Sequence, residues 1–83
     1  MELQRGRVVI SLAGRDKNRY LVIVSLKDGY VYVADGGLRS ITDPKRKNIK
    51  HLSLTKTVFS EDTLKSDKIL RRTIKEEFGA DRR

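Results

Sequence analysis

The 83-residue chain has room for one domain, and so small a core leaves stability marginal unless a partner or a staple adds to it. With no cysteine, disulfides and thiolate metal sites are excluded, which suits a reducing, cytoplasmic setting. Nineteen Lys and Arg against eleven Asp and Glu leave a formal charge of +8, which favours a polyanionic partner such as nucleic acid or an acidic membrane.

The charge is uneven. Positions 1–59 hold twelve basic and five acidic residues, a balance of +7, whereas positions 60–83 hold seven and six, a balance of +1. The longest apolar run, Tyr20 to Val24, falls far short of the ~18 residues of a membrane span, and the N-terminus lacks the apolar stretch of a secretory signal. The chain is therefore expected to be soluble and uncleaved.

Arg7 to Leu12 alternates Val8, Ile10 and Leu12 against Arg7, Val9 and Ser11, the period of a half-buried first strand. Tyr20 to Lys27 is β-branched and apolar on both faces near its centre, so the second strand should be covered on both sides. Asp28-Gly29 predicts a type I′ hairpin into a third strand, Tyr30 to Asp35. Gly36-Gly37 marks another turn, Leu38 to Thr42 is a short candidate strand, and Asp43-Pro44 breaks the pattern ahead of the loop-like run Lys45-Arg46-Lys47. Ile49, Leu52 and Leu54 are spaced for closing a barrel, with a 3₁₀ turn or a bulge to absorb their irregular period. Several short strands with Gly-bearing turns favour a small antiparallel barrel over an open sheet, because closure removes exposed edges.

The tail changes period. Ser66 is a good N-cap, Asp67 suits the positive end of the helix dipole, and Leu70, Ile74 and Phe78, flanked by Ile69, give one apolar stripe that ends at Gly79. The expected organisation is a barrel over 1–56, a connector over 57–65 that is either an ordered turn or a linker, and an amphipathic helix over 66–79.

The stretch GRVVISLAGRDKNRYLVIV, Gly6 to Val24, resembles the KOW motif: an apolar strand, a loop that opens on glycine and carries basic residues, then a second apolar strand. Together with PKRKNIKHL, Pro44 to Leu52, it resembles the archaeal and eukaryotic large-subunit ribosomal proteins with an N-terminal KOW domain, and the short bacterial KOW-domain RNA-binding proteins similar to them. The resemblance covers roughly Arg5 to Leu54. It implies a mainly β fold, a small SH3-like antiparallel β-barrel followed by the C-terminal α-helix, whose first inter-strand loop and later basic loop contact ribosomal RNA backbone. Many KOW loops carry a second glycine where this chain has Asn18, and asparagine is the next most tolerant residue of a left-handed backbone.

On this reading the RNA-contacting candidates are Gly14, Arg15, Lys17, Asn18, Arg19 and Tyr20 in and beside the first loop, Lys45, Arg46, Lys47, Asn48, Lys50 and His51 in the second, and Arg7 and Arg39 elsewhere. Flexible cations in loops can follow an irregular phosphate chain, and arginine adds bidentate contacts and stacking on unpaired bases. The bland alternative is a solvated surface that keeps a small protein soluble. Tyr20 is a candidate for stacking on a base, whereas Tyr30 and Tyr32 share one face of their strand and are expected to pack beneath the helix. One histidine and no cysteine offer no zinc site, and no nucleophile–base pairing or phosphate-cradling loop is visible, so no metal, cofactor, small-molecule substrate or enzymatic activity is expected. The competing function is a protein-interaction module that docks on ribosomal, transcription or translation proteins. Membrane attachment by the helix is disfavoured by its short apolar stripe and by Glu76 and Glu77.

Overall fold

Asp28 and Gly29 take φ of 52° and 80°, the left-handed pair that a type I′ turn requires, and so join β2 (Tyr20–Lys27) to β3 (Tyr30–Ala34) as an antiparallel hairpin. In the computed structural model, which describes residues 2–79, β1 (Arg7–Ser11) lies on the other side of β2, and β5 (Leu52–Val58) returns to pair with β1. The remaining strand, β4 (Lys45–Lys47), pairs with β3. The resulting sheet has the order β4-β3-β2-β1-β5 and is open, with no ladder between β4 and β5 among the described residues. A helix, α1 (Asp67–Phe78), completes a mainly β fold.

The two faces of the sheet carry separate cores. Val8, Val22, Val24 and Ala34 pack with Phe59, Leu64, Leu70 and Ile74, so the stripe read from the sequence docks α1 on its own sheet. Fully burying a side chain such as Leu70 contributes ~1.5–3 kcal/mol. Tyr32 joins this layer, whereas Tyr30, at the far end of the strand, is exposed. Val9, Leu21, Ile23, Val31, Val33 and Leu52 form the second core on the opposite face. β1 is thus covered on both faces rather than half-buried, because it is an interior strand between two cores.

Three further expectations are corrected. The basic run Lys45–Lys47 is an edge strand rather than a loop, in register with Val33, Tyr32 and Val31; lysines are suited to edges because they discourage pairing with other chains. Leu38 to Thr42 makes a single bridge, Ser40 with Asp43, instead of a strand. Its polar groups are bound elsewhere: Ser40 Oγ and Ile41 N donate to the Asp67 carboxylate at 2.7 and 2.8 Å. β5 runs on to Val58, past the expected barrel boundary, and the connection to α1 is a turn leading into a short 3₁₀ helix, Thr63–Lys65, anchored by buried Phe59 and Leu64. The irregular spacing of Ile49 and Leu52 is a 3₁₀ turn over Ile49–His51.

Both irregularities in the sheet are closed by arginines. β2 carries an extra residue between Ile23 and Ser25, and the Val24 carbonyl there accepts from Arg5 Nη1 at 2.7 Å. β5 bulges between its pairings with Arg7 and Val9, and Arg7 Nη1 donates to the Thr55 and Lys56 carbonyls at 3.3 and 3.4 Å. Without those donors the bulged carbonyls would lose their protein partners.

Ser66 caps α1 through a 3.1 Å bond from Ile69 N, and Gly79 ends it with φ of 74°. No helix among the described residues is long and apolar enough to cross a membrane.

Candidate nucleic-acid interface

The β1–β2 loop is built by local hydrogen bonds before any long-range contact is needed. Lys17 N donates to Gly14 O, Arg19 N to Asp16 O and Asn18 N to Ser11 O, with Gly14 at φ 85° and Asn18 at φ 69°. The asparagine thus takes the left-handed conformation that its place in the motif implies. Arg15 and Lys17 project into solvent from this frame, and Arg19 is half-buried at its end.

Lys47 fastens the second basic string to the first. Its ammonium lies 2.7 Å from Asp16 Oδ1 and donates to Ser11 Oγ at 3.1 Å and to the Ala13 carbonyl at 2.9 Å. Both side chains of the ion pair are more than nine-tenths buried. Burial works to raise the Asp16 carboxyl pKa, but the hydrogen bonds from Lys47 and Ser11 and the charges of Lys47 and Lys45 outweigh it and hold the group below its ordinary value.

The 3₁₀ turn continues this junction. Asn48 Oδ1 accepts from Lys50 N at 3.1 Å, and the His51 carbonyl accepts from Leu12 N at 2.8 Å, so the turn sits beside the start of the β1–β2 loop with Lys50 and His51 exposed. Lys45 is half-buried, and Arg46 is exposed with its guanidinium 4.6 Å from the Tyr30 ring centre, a cation–π contact.

The remaining candidates are placed differently. Arg7 is 8% exposed, and its guanidinium is bonded to the Glu2, Thr55 and Lys56 carbonyls and to Gln4 Oε1. Like Lys47, it spends its charge inside the protein, so a phosphate could reach either only by breaking bonds already made. Tyr20 stacks on Phe78 with ring centres 4.2 Å apart and planes 15° from parallel, so one face of the proposed base platform is already covered.

Arg39 lies on the other side of the β1–β2 loop. With Arg15, Arg19 and Leu38 it borders a hollow of about 210 Å³. A larger cleft of about 520 Å³ shares Arg19, Asp35 and Leu38 with that hollow and is walled on its far side by Arg71, Ile74 and Lys75 of α1. Arg71 and Lys75 escaped sequence reasoning because a helix with mixed charges reads as an ordinary solvated face. Their i, i+4 spacing beside Ile74 is the signal that places them on one side.

No protein-family model matches the chain, and no curated protein matches it.

Proposed function

We propose that the protein binds structured RNA through the cations of the β1–β2 loop, β4 and the 3₁₀ turn, as a non-enzymatic accessory of the ribosome or of translation. The observation that carries this reading is the Lys47–Asp16 pair, which ties two basic strings distant in sequence into one surface. Around it Arg15, Lys17, Arg46 and Lys50 are exposed. An internally held lysine that organises neighbouring exposed cations is a better match to a phosphate-reading surface than to charges scattered for solubility.

The sheet supports the SH3-like form of the proposal. The fifth strand returns to the first, and a single 3₁₀ turn separates the two edge strands. The face turned away from α1 is nonetheless sealed, because Leu21, Ile23, Val31 and Val33 have no exposure and cluster with Leu52 of an edge strand. Coverage of that face by an edge-strand residue, with Leu3 packed against the same cluster, is what a sheet curled toward a small barrel would give, and it supports this form of the proposal.

The test is a salt titration of RNA binding. If Arg15, Lys17, Arg19, Lys45, Arg46 and Lys50 each meet a phosphate, log affinity should fall against log salt with a slope of about −5. Charge reversal in Arg46→Glu/Lys50→Glu should lower affinity by more than about tenfold and flatten the slope by about 2. Unchanged affinity in that variant would overturn the surface assignment.

A protein-docking reading has one observation in its favour. Leu12 and Ile49 are 47% and 41% exposed near the Leu12–His51 hydrogen bond, beside the same loop. It predicts a complex with a ribosomal or translation protein that survives nuclease and depends on Leu12 rather than on Arg46.

A further inference from the structure

We propose that the cleft between α1 and the β3–β4 loop holds one unpaired nucleotide of the bound RNA, so that the protein selects bulged or looped sites over continuous duplex. The inference rests on the RNA-binding reading above and adds a pocket to its phosphate-reading surface.

The walls of the cleft differ in chemistry. Leu38 is 72% exposed at the rim, and Ile74 and the Tyr20 side chain continue its apolar surface into the cleft. Arg71 and Lys75 stand opposite on successive turns of α1, both exposed, their side chains making no hydrogen bond or ion pair to another described residue. An apolar lip facing two cations fits a nucleobase joined to its phosphate, whereas a free phosphate has no use for the apolar wall. The volume of about 520 Å³ falls in the ~300–1,000 Å³ range of clefts that take small ligands. A continuous A-form duplex is convex and cannot enter a concavity of this size; an unstacked nucleotide can.

The cleft is also held in shape before anything binds. Gly36 packs directly on the first turn of α1: a Cβ there would collide with Asp67 O and lie 2.9 Å from Arg71 N. The Asp67 carboxylate takes Ser40 Oγ and Ile41 N, fixing the loop from its other end. Among the described residues Asp35 is the carboxylate bordering this cleft, and its Oδ1 is committed to Gly37 N and Arg39 N at 2.8 and 2.9 Å, which orders the loop. The smaller hollow continues the path toward Arg15 and Arg39, so a strand leaving the cleft meets cations on the side of the β1–β2 loop.

The experiment compares a labelled blunt RNA duplex with the same duplex carrying one bulged uridine, by fluorescence anisotropy on the full chain. The wild type is expected to bind the bulged RNA about tenfold more tightly, the scale of one base stacked or packed in a pocket. Arg71→Gln/Lys75→Gln and, separately, Leu38→Ala should abolish that preference while leaving affinity for the blunt duplex nearly unchanged. All three side chains are exposed, and unaltered thermal midpoints would verify that the variants fold. Equal binding of the two RNAs by the wild type overturns the inference, as does a bulge preference that persists in both variants. Binding of neither RNA would instead overturn the RNA-binding reading on which it stands.

Discussion

Lys47 Nζ and Asp16 Oδ1 lie 2.7 Å apart in a site that solvent barely reaches, and the pair joins an edge strand to the β1–β2 loop across thirty-one positions of sequence. Ion pairs of this kind add little net stability compared with a well-packed apolar pair, but removing one partner strands the other in a low-dielectric site. Lys47→Met is therefore expected to cost ~3–5 kcal/mol, a large fraction of the ~5–15 kcal/mol typical of a domain. Asp16→Leu/Lys47→Met, which removes both charges, should recover much of that loss. Urea denaturation of the three proteins checks this, and an additive double variant would contradict it.

The same pair sets a response to acid. The Asp16 carboxyl has a pKa below its ordinary 3.8 in the folded state, because Lys47 and Ser11 stabilise the charged form more than burial penalises it. A carboxyl with a depressed folded pKa contributes stability that is fully present above its unfolded value and is lost as pH falls through the folded one. The urea midpoint of the wild type should hold between pH 7 and 5 in this component and decline below about 4. Asp16→Asn/Lys47→Met should lack that part of the decline, and parallel curves for the two proteins would exclude Asp16 as its source.

What was legible in the sequence is what local chemistry decides. The Asp28-Gly29 hairpin, the Ser66 cap and the Leu70, Ile74 stripe depend on residues within a few positions of one another, and each lies where its pattern indicates. β4 was illegible because three successive cations show no alternation, and their pairing with β3 is supplied from more than ten residues away. Leu38 to Thr42 misled for the reverse reason: its strand-like composition is overridden by the Asp67 carboxylate, which competes for its donors. Charge alone found the exposed cations of the candidate surface. It could not separate Arg15 or Lys50, which face solvent, from Arg7 and Lys47, which face carbonyls and a buried carboxylate.

Gly36 and Gly29 separate two reasons for a glycine at positive φ. Both have φ of 80°, but nothing lies within 4 Å of a Cβ placed at Gly29, whereas at Gly36 it would meet the backbone of α1 at Asp67 and Arg71. Gly29→Ala should cost ~1–2 kcal/mol, the penalty for a side chain in the left-handed region. Gly36→Ala carries the same penalty and must also push α1 off the loop, so it should be clearly more destabilising and should expose the apolar face beneath the helix. Thermal midpoints and binding of a hydrophobic dye measure the two effects; equal midpoints for the two variants would deny the close approach.

Arg7 offers the sharpest separation of structural cations from those proposed to contact RNA. Its guanidinium bridges the Glu2 carbonyl at 2.9 Å, the Thr55 and Lys56 carbonyls of the β5 bulge, and Gln4 Oε1 at 3.2 Å. A planar fork of donors can serve several acceptors in different directions, but a lysine ammonium at the end of a single stem cannot reproduce that geometry. Arg7→Lys is therefore expected to destabilise nearly as much as Arg7→Met, each by ~1–3 kcal/mol from acceptors left without partners. Under conditions where both variants are folded, RNA affinity and its salt slope should match the wild type, because the charge removed never faced solvent. Arg15→Met should do the opposite, leaving the urea midpoint in place while lowering affinity and flattening the slope by about 1. If Arg7→Met weakened RNA binding as Arg15→Met does, the guanidinium would have to leave the bulge for the phosphate backbone, and the division between inward and outward cations would fail.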